Sequence, residues 1–310
     1  MTHLYYDPRF LDHDTGAHPE QPERLRQIMA RLETTGIAAR CVRPTWSSAS
    51  RTRLEQVHEA AHIDHIAALA AGGGGQADAD TVICPASYDV ALLAAGAACD
   101  AVDRVLSGET KTALCLVRPP GHHALAERAM GFCLFNNIVI AACVARDEYE
   151  LDRVLIVDWD VHHGNGTQDA FYADGRVGFL SSHRWPFYPG TGAADETGTG
   201  DGLGATLNLP ITFGTPRATY RDRFAGELEK FAARIRPQLV LVSAGFDSHR
   251  ADPIGSLGLE TEDFAELTKL VMNVAAVHAG GRIVSILEGG YNPPVLAECV
   301  ETHLRELLRG

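Results

Sequence analysis

The sequence predicts an α/β protein in which helices cover a parallel β-sheet. Segments with helical periodicity lie between several short apolar runs, which is the alternation typical of α/β layer architectures. These runs are continuously apolar, as strands buried on both faces are. With 45% of its 310 residues hydrophobic, the chain can form a large core. The predicted strands span residues 113–117, 153–158, 176–181, 239–244 and 282–287.

Four segments have the apolar spacing of an α-helix. They span residues 22–33, 87–108, 216–237 and 261–281. The last segment opens with Thr261 as the expected N-cap, carries acidic residues in its first turn and ends at two glycines. Residues 72–80 and 190–205 are rich in glycine and are predicted to be loops. Because the strand–helix alternation continues across both loops, we expect one domain over residues 1–310.

Composition excludes several classes of function. The formal net charge is −13, which argues against nucleic-acid binding through a broad basic face. No apolar stretch has the length of a membrane span, and the first residues do not resemble a signal peptide. The seven cysteines are widely spaced and form no CxxC pair, so reduced thiols in a cytoplasmic protein are expected.

Polar segments follow the predicted strands and are expected to meet. In an open parallel sheet, ligands bind outside the carboxyl ends of the strands, so loops that are distant in sequence converge there. The sequence therefore predicts one site built from several loops. The segments are RPPGHHA (118–124), DWDVHHGNG (158–166), SSH (181–183), AGFDSH (244–249) and EGGYN (288–292).

The second segment has the features of a metal site. Asp160 and His162 alternate in an extended stretch, so both side chains can point the same way. Carboxylate and imidazole ligands suit zinc, iron or cobalt. Asp247 is the natural third ligand, which leaves a coordination position for water, and Asp158 could support the ligands. The alternative is that these residues only cap turns and helices.

Two further segments carry candidate acid–base groups. His122 and His123 follow a rigid Pro-Pro-Gly turn and could act as general base and general acid. Asp158 and Asn165 could orient the two rings. Tyr291 follows two glycines and could donate its hydroxyl to a developing oxyanion. Taken singly, the histidines could also be surface residues, and the tyrosine could pack at the edge of the core.

In order and spacing, these motifs resemble the zinc-dependent histone deacetylase family. That family includes acetylpolyamine amidohydrolases and bacterial histone deacetylase-like amidohydrolases. The N-terminal HDTGAHPEQPERL is similar to the opening of the class II branch, and the resemblance runs from about residue 5 to residue 292. It implies the arginase/deacetylase fold, a single α/β domain with a central parallel sheet of about eight strands. The matching motifs are RPPGHHA, DWDVHHGNGTQ, YPGTG, AGFDSHRADP and EGGYN.

The resemblance assigns roles to the candidate residues. His123 is implied to be general base and acid, His122 its electrostatic partner and Asp158 the residue that orients His122. Asn165 stands where class I members have aspartate and class II members commonly have asparagine. Tyr291 occupies the place of the catalytic tyrosine. The zinc ligands, which would also suit ferrous iron in the cell, are implied to be Asp160, His162 and Asp247.

A substrate channel and two potassium sites are also implied. The channel residues are Gly131, Phe132, Tyr188 and Ile254. Tyr188 stands where phenylalanine is usual, which makes the channel slightly more polar. A second, weaker monovalent site is implied near Phe171. The structural potassium site is implied to involve Asp158, Asp160, His162, Ser181 and Ser182.

The implied reaction is hydrolysis of an acetamide to acetate and a free amine, with hydroxamates as inhibitors. Acetyl-lysine in proteins or peptides is the expected substrate, because Ile254 stands where polyamine-selective relatives carry glutamate. The PEXCE-type insertion of the eukaryotic polyamine enzyme is also absent. Acetylpolyamines and small amide metabolites remain alternatives, and relatives occur as monomers and as homo-oligomers.

Two other classes are disfavoured. A binuclear manganese ureohydrolase of the same fold would need additional bridging ligands, as in a DAHxD pattern, where this chain has DWDVHH. A non-catalytic acetyl-lysine binder would be indicated by loss of His123, Tyr291 or a metal ligand, and all of these are retained.

Overall fold

The computed structural model describes residues 1–310, and a wholly parallel β-sheet lies at its centre. The strands are β1 (His3–Tyr5), β2 (Gly75–Asp78), β3 (Thr81–Ile83), β4 (Thr112–Cys115), β5 (Val154–Asp158), β6 (Val177–Arg184), β7 (Thr206–Ile211), β8 (Leu239–Ala244) and β9 (Ile283–Leu287). Seven of them form the sheet in the order β1-β4-β9-β8-β5-β6-β7, and β2 and β3 form a separate antiparallel hairpin.

The five predicted strands are confirmed as β4, β5, β6, β8 and β9. The sheet has seven strands where the resemblance implied about eight. The sequence prediction missed β1 and β7, the two edge strands. Strand β1 has only three residues, and β7 contains Pro210, which a sheet tolerates at an edge. The predicted loop at 72–80 is wrong in part, because it contains β2.

The four predicted helices are confirmed, and five more are present. The helices are α1 (Glu23–Thr34), α2 (Arg51–Glu55), α3 (Ala60–Ala71), α4 (Ser87–Leu106), α5 (Asn137–Cys143), α6 (Asn165–Phe171), α7 (Arg217–Ile235), α8 (Thr261–His278) and α9 (Pro293–Leu307). The expected N-cap of α8 is wrong by one residue. Glu260 is the cap, and its backbone N–H donates to Asp263 Oδ2 at 2.8 Å in a capping box.

Burial of the central strands explains their apolar composition. Every residue of β5, β8 and β9 is buried, as expected for strands covered on both faces. All seven cysteines are free thiols, and five of them are buried. No helix combines the length and the apolar character needed to cross a bilayer.

The register of the sheet brings the polar segments together. Asp158, near the end of β5, pairs with Ser243 of β8, and Ser243 pairs with Ile286 of β9. These three strands are neighbours and end at nearly the same level. The loops that follow them therefore leave the sheet side by side, although they are far apart in sequence.

Candidate active site

The last residue of β5 and the loop after it contact the loops that follow β4 and β9. Asp158 Oδ2 lies 2.9 Å from His122 Nδ1 in the loop after β4. Gly289, in the loop after β9, donates its backbone N–H to Asp160 Oδ2 at 2.8 Å. Three of the segments that were expected to meet are therefore in contact, and the polar groups among them are almost wholly buried.

Asp160, His162 and Asp247 form a buried cluster of candidate metal ligands. One donor atom from each residue lies within 4.8 Å of the donors of the other two. His162 Nδ1 is 3.0 Å from Asp160 Oδ1 and 3.2 Å from Asp247 Oδ2. The backbone N–H of Val161 donates to the other oxygen of Asp247 at 2.8 Å, which connects the loops after β5 and β8.

The cluster has the chemistry of a divalent metal site. Asp247 Oδ2 is buried and lies 3.2 Å from His162 Nδ1, but it has no hydrogen-bond partner of suitable geometry. Burial and the nearby Asp160 raise the pKa of Asp247 to about 7 although His162 opposes the shift, so two negative charges in this cluster are unfavourable without a cation. A Cβ at Gly289 would collide with both carboxylates, which leaves room only for backbone there. A divalent cation would satisfy the unpaired oxygen and offset the charge.

The two adjacent histidines have different partners. Their ring centroids are 4.0 Å apart. His122 Nδ1 faces the Asp158 carboxylate, whereas His123 Nδ1 lies 2.7 Å from Asn165 Oδ1. Asn165 Nδ2 donates to the backbone carbonyl of His123 at 3.4 Å, which fixes the orientation of the amide. His123 therefore carries its proton on Nδ1 and has a free lone pair on Nε2.

These partners give the two rings opposite charge states. Burial disfavours the charged form of His122, but Asp158 and Asp160 outweigh it and raise the pKa of His122 to about 10. Burial lowers the pKa of His123 well below its usual value, and the charges of His122 and His162 lower it further. Near neutral pH, His122 is protonated and His123 is neutral.

Tyr291 lies in the loop after β9, close enough to Asp247 and Asp160 to feel their charges. Its side chain is buried, and the guanidinium of Arg24 lies 5.0 Å from the centroid of its ring. Burial raises the pKa of Tyr291 well above 10; Arg24 opposes this shift, whereas Asp247 and Asp160 add to it. The hydroxyl therefore keeps its proton and can donate a hydrogen bond.

Aromatic rings surround the approach to His123. The edge of Tyr188 packs against His123 with ring centroids 5.2 Å apart, and Phe132 makes a similar contact with Tyr291 at 5.6 Å. Gly131 has φ +56°, and a Cβ at this position would collide with the His123 imidazole. His18, which the sequence prediction missed, packs against Phe132 with centroids 4.5 Å apart.

Two charged residues that the sequence prediction missed support these loops from behind. Arg24 Nε donates to the carbonyl of Gly290 at 2.7 Å, and another guanidinium nitrogen donates to the carbonyl of Glu288. The Glu288 carboxylate accepts the backbone N–H groups of Gly121 at 2.7 Å and His122 at 3.3 Å. Glu288 is the first residue of the EGGYN motif that contains Tyr291, and its place in that motif was the signal that could have identified it.

Glu20 connects Arg24 to a second buried arginine. Its carboxylate accepts from Arg118 Nη2 at 2.8 Å and Arg24 Nη1 at 3.2 Å, and all three side chains are buried. Burial opposes the ionisation of Glu20, but Arg118 outweighs it, and the pKa of Glu20 falls from its usual 4.5 to about 2. Because the pKa is lower in the folded state, ionised Glu20 stabilises the fold above pH 4.5. This stabilisation is lost as pH falls from 4.5 towards 2.

Glu20→Gln is expected to lower the free energy of unfolding by about 3–5 kcal/mol at pH 7, because it leaves buried arginine charge uncompensated. The difference in the free energy of unfolding between this variant and wild type should become smaller as the pH falls below 4.5. Urea unfolding at several pH values measures both effects. Glu33→Gln, at an exposed position on α1, is the control and should change stability little. Equal stability of Glu20→Gln and wild type at pH 7 would contradict this role.

The residues of the implied potassium sites lie on neighbouring strands and on a helix. Asp158 pairs in register with Ser181. The hydroxyl of Ser181 is 2.9 Å from His183 Nδ1, and Ser182 Oγ donates to the Tyr220 hydroxyl at 3.1 Å. Phe171 is the last residue of α6. Both potassium sites stay predictions.

A parallel sheet with an Asp–His–Asp cluster and two adjacent histidines at its carboxyl edge defines a hydrolase of the arginase/deacetylase fold. Residues 18–307 match the family model described as histone deacetylase domain. The chain therefore belongs to the histone deacetylase family, which confirms the resemblance found in its motifs.

Two curated relatives and a solved structure illustrate the membership. The chain is 39% identical over 291 residues to a histone deacetylase-like amidohydrolase of Pseudomonas aeruginosa, covering 94% of this chain and 77% of that protein. It is 42% identical over 314 residues to the human polyamine deacetylase HDAC10, covering 97% of this chain and 46% of the human protein. The crystal structure of the HDA15 HD domain matches with a TM-score of 0.95 and 37% identity, covering 99% of this chain and 88% of that chain.

Proposed function

We propose that this chain is a zinc-dependent amidohydrolase that removes acetyl groups from acetyl-lysine side chains of proteins or peptides, and that residues 1–310 form one catalytic domain. The observation that carries the proposal is the neutral His123, whose ring lies 5.8 Å from the ring of His162 in the candidate metal cluster. A base with a free nitrogen beside a group of candidate metal ligands is an arrangement that suits metal-assisted hydrolysis of an amide.

Asp160, His162 and Asp247 would hold the metal, which when bound polarises the acetamide carbonyl and lowers the pKa of water. Ferrous iron would fit the same donors in the cell. Hydroxamates, which chelate such metals, are expected to inhibit the enzyme. The implied structural potassium site, built by Asp158, Ser181 and their neighbours, is part of the proposal.

The side chains of the protein divide the proton transfers. His123 Nε2 takes a proton from the attacking water and later delivers it to the leaving amine. The Tyr291 hydroxyl donates a hydrogen bond to the carbonyl oxygen as negative charge develops on it. His122 remains protonated against Asp158 and adds positive potential. Asn165 holds the ring of His123 in the tautomer that accepts the proton. The products are acetate and a free amine.

Acetyl-lysine is favoured over acetylpolyamines by the residue at position 254. Ile254 is aliphatic and half-buried, so it offers no charge to a polyamine cation. Acetylpolyamine hydrolysis is the second candidate, and two observations favour it. The chain is similar to the human polyamine deacetylase HDAC10. In addition, the carboxylates of Asp80 and Asp78 lie near the channel residue Tyr188, where they could attract a polyamine cation. Their charges raise the pKa of Tyr188, although burial contributes more.

The zinc-loaded enzyme is expected to prefer an acetyl-lysine peptide over N8-acetylspermidine by about tenfold or more in kcat/KM, or roughly 1.4 kcal/mol. Ile254→Glu should move this preference towards acetylspermidine, because it places an acidic group in the channel wall. Steady-state kinetics with both substrates measure the ratio. A reversed preference in the wild-type enzyme would establish the second candidate instead.

A further inference from the structure

Asp252 lies outside the candidate ligand set, yet its carboxylate joins two parts of the site. Oδ1 accepts the backbone N–H groups of Ile254 and Gly255, both at 2.9 Å. Oδ2 accepts the backbone N–H of Tyr291 at 2.6 Å. We propose that Asp252 is a positioning residue that anchors the oxyanion donor Tyr291 to the turn carrying the channel residue Ile254. This inference rests on the proposed function.

The loop that carries Tyr291 needs such an anchor. Gly289 and Gly290 precede the tyrosine, and Gly290 has φ +127°, a conformation that costs glycine little. The backbone preferences of this loop therefore do not fix where the ring lies, and contacts must do so. Among the contacts of the loop, the bond to Asp252 is made by the backbone of Tyr291 itself.

The turn formed by residues 252–255 is itself held in place by several hydrogen bonds. Ser256, the next residue, donates its backbone N–H to the carbonyl of Asp247 at 2.7 Å. Arg184 Nη1 donates to the carbonyl of Gly255 at 3.0 Å. A Cβ at Gly255 would lie 2.5 Å from the Asp247 carbonyl oxygen, so the turn packs directly on the metal-ligand segment. Through Asp252 and this turn, the position of Tyr291 is fixed relative to the candidate metal ligands.

A purely local role for Asp252 accounts for only two of the three hydrogen bonds that its carboxylate accepts. An aspartate that stabilises its own turn accepts N–H groups two or three residues ahead, as Oδ1 does here. The hydrogen bond that Oδ2 accepts comes from a residue 39 positions away, and it lies outside the turn. A second bond joins the same two segments, because Asn292 Nδ2 donates to the carbonyl of Ala251 at 2.9 Å.

Asp252→Asn keeps the shape of the side chain but replaces one acceptor oxygen with an NH₂ group. That group must face either the Tyr291 N–H or the two N–H groups of the turn, and donor then meets donor. We expect kcat on an acetyl-lysine peptide to fall about 10- to 100-fold, as for a displaced catalytic group, with a smaller change in KM. Asp201→Asn, at an exposed position in a short 3-10 helix, is the matched control and should behave as wild type.

The decisive measurement repeats Asp252→Asn in a Tyr291→Phe background. If Asp252 acts through the tyrosine hydroxyl, it should lower kcat only while that hydroxyl is present. Equal losses in both backgrounds, or wild-type kcat for the single variant, would overturn the inference. If Asp252→Asn does not fold, Asn292→Ala replaces it, because this change removes the second hydrogen bond between the two segments. Its effect on kcat is then compared in the wild-type and Tyr291→Phe backgrounds. A wild-type enzyme inactive on all acetylated substrates would instead reject the proposed function.

Discussion

Asp247→Asn is expected to bind no metal and to show no measurable deacetylation, yet its metal-free form should be at least as stable as metal-free wild type. The reason is the buried oxygen Oδ2, which has no hydrogen-bond partner within the protein. Burial and the nearby Asp160 already raise the pKa of Asp247 to about 7, so a neutral side chain suits the metal-free site better than a charge. The metal-loaded site requires the charge.

Metal content per chain and melting temperature, each measured before and after loading with zinc, test this prediction. Wild type should gain stability on loading, by about 2.7 kcal/mol when free metal is 100 times its dissociation constant. Asp247→Asn should gain none, and the control Asp201→Asn should behave as wild type. A variant that keeps one metal per chain would show that Asp247 is not a ligand.

His123→Ala is expected to lower kcat by about 10²- to 10⁴-fold, the usual contribution of general acid–base catalysis. The metal content should not change, because His123 is bonded to Asn165 and not to the candidate ligands. This combination separates loss of the base from loss of the metal, and single-turnover kinetics with metal analysis of the same sample measure both.

His65→Ala provides the control, since His65 is exposed on α3 and far from the cluster in the sequence. It should retain wild-type kcat. Near-normal turnover of His123→Ala would reject its assignment as the base and would direct attention to His122, whose protonated state makes it the weaker candidate.

The central part of the fold could be predicted because its environment leaves a simple signal. Strands β5, β8 and β9 are buried on both faces, so their residues are continuously apolar. The edge strands gave no such signal. Pro210 in β7 and the three-residue length of β1 are compatible with an edge, but they also look like loop sequence.

The candidate site divides in the same way. Asp160 and His162 could be paired from their spacing alone. Asp247 was predicted as the third ligand from the expected convergence of loops and from the family resemblance, because local patterns do not specify that β8 lies next to β5. Glu20 and Asp252 were missed because each acts through contacts with residues far away in the chain. From the sequence alone, a single charged residue is expected to be exposed at the surface, because its buried partners are distant in the chain.

The order of strands in the sheet has a consequence for the synthesis of this protein. Strand β9 lies between β4 and β8, although it is the last strand to leave the ribosome. Ala113 of β4 pairs with His3 on one side, but its partner on the other side, Val284, is made much later. Until β9 is made, β4 and β8 each have an unpaired edge, which invites wrong pairing. Because Gly289 and Tyr291 follow β9 in the chain, the candidate site is complete only after this last strand has joined the sheet.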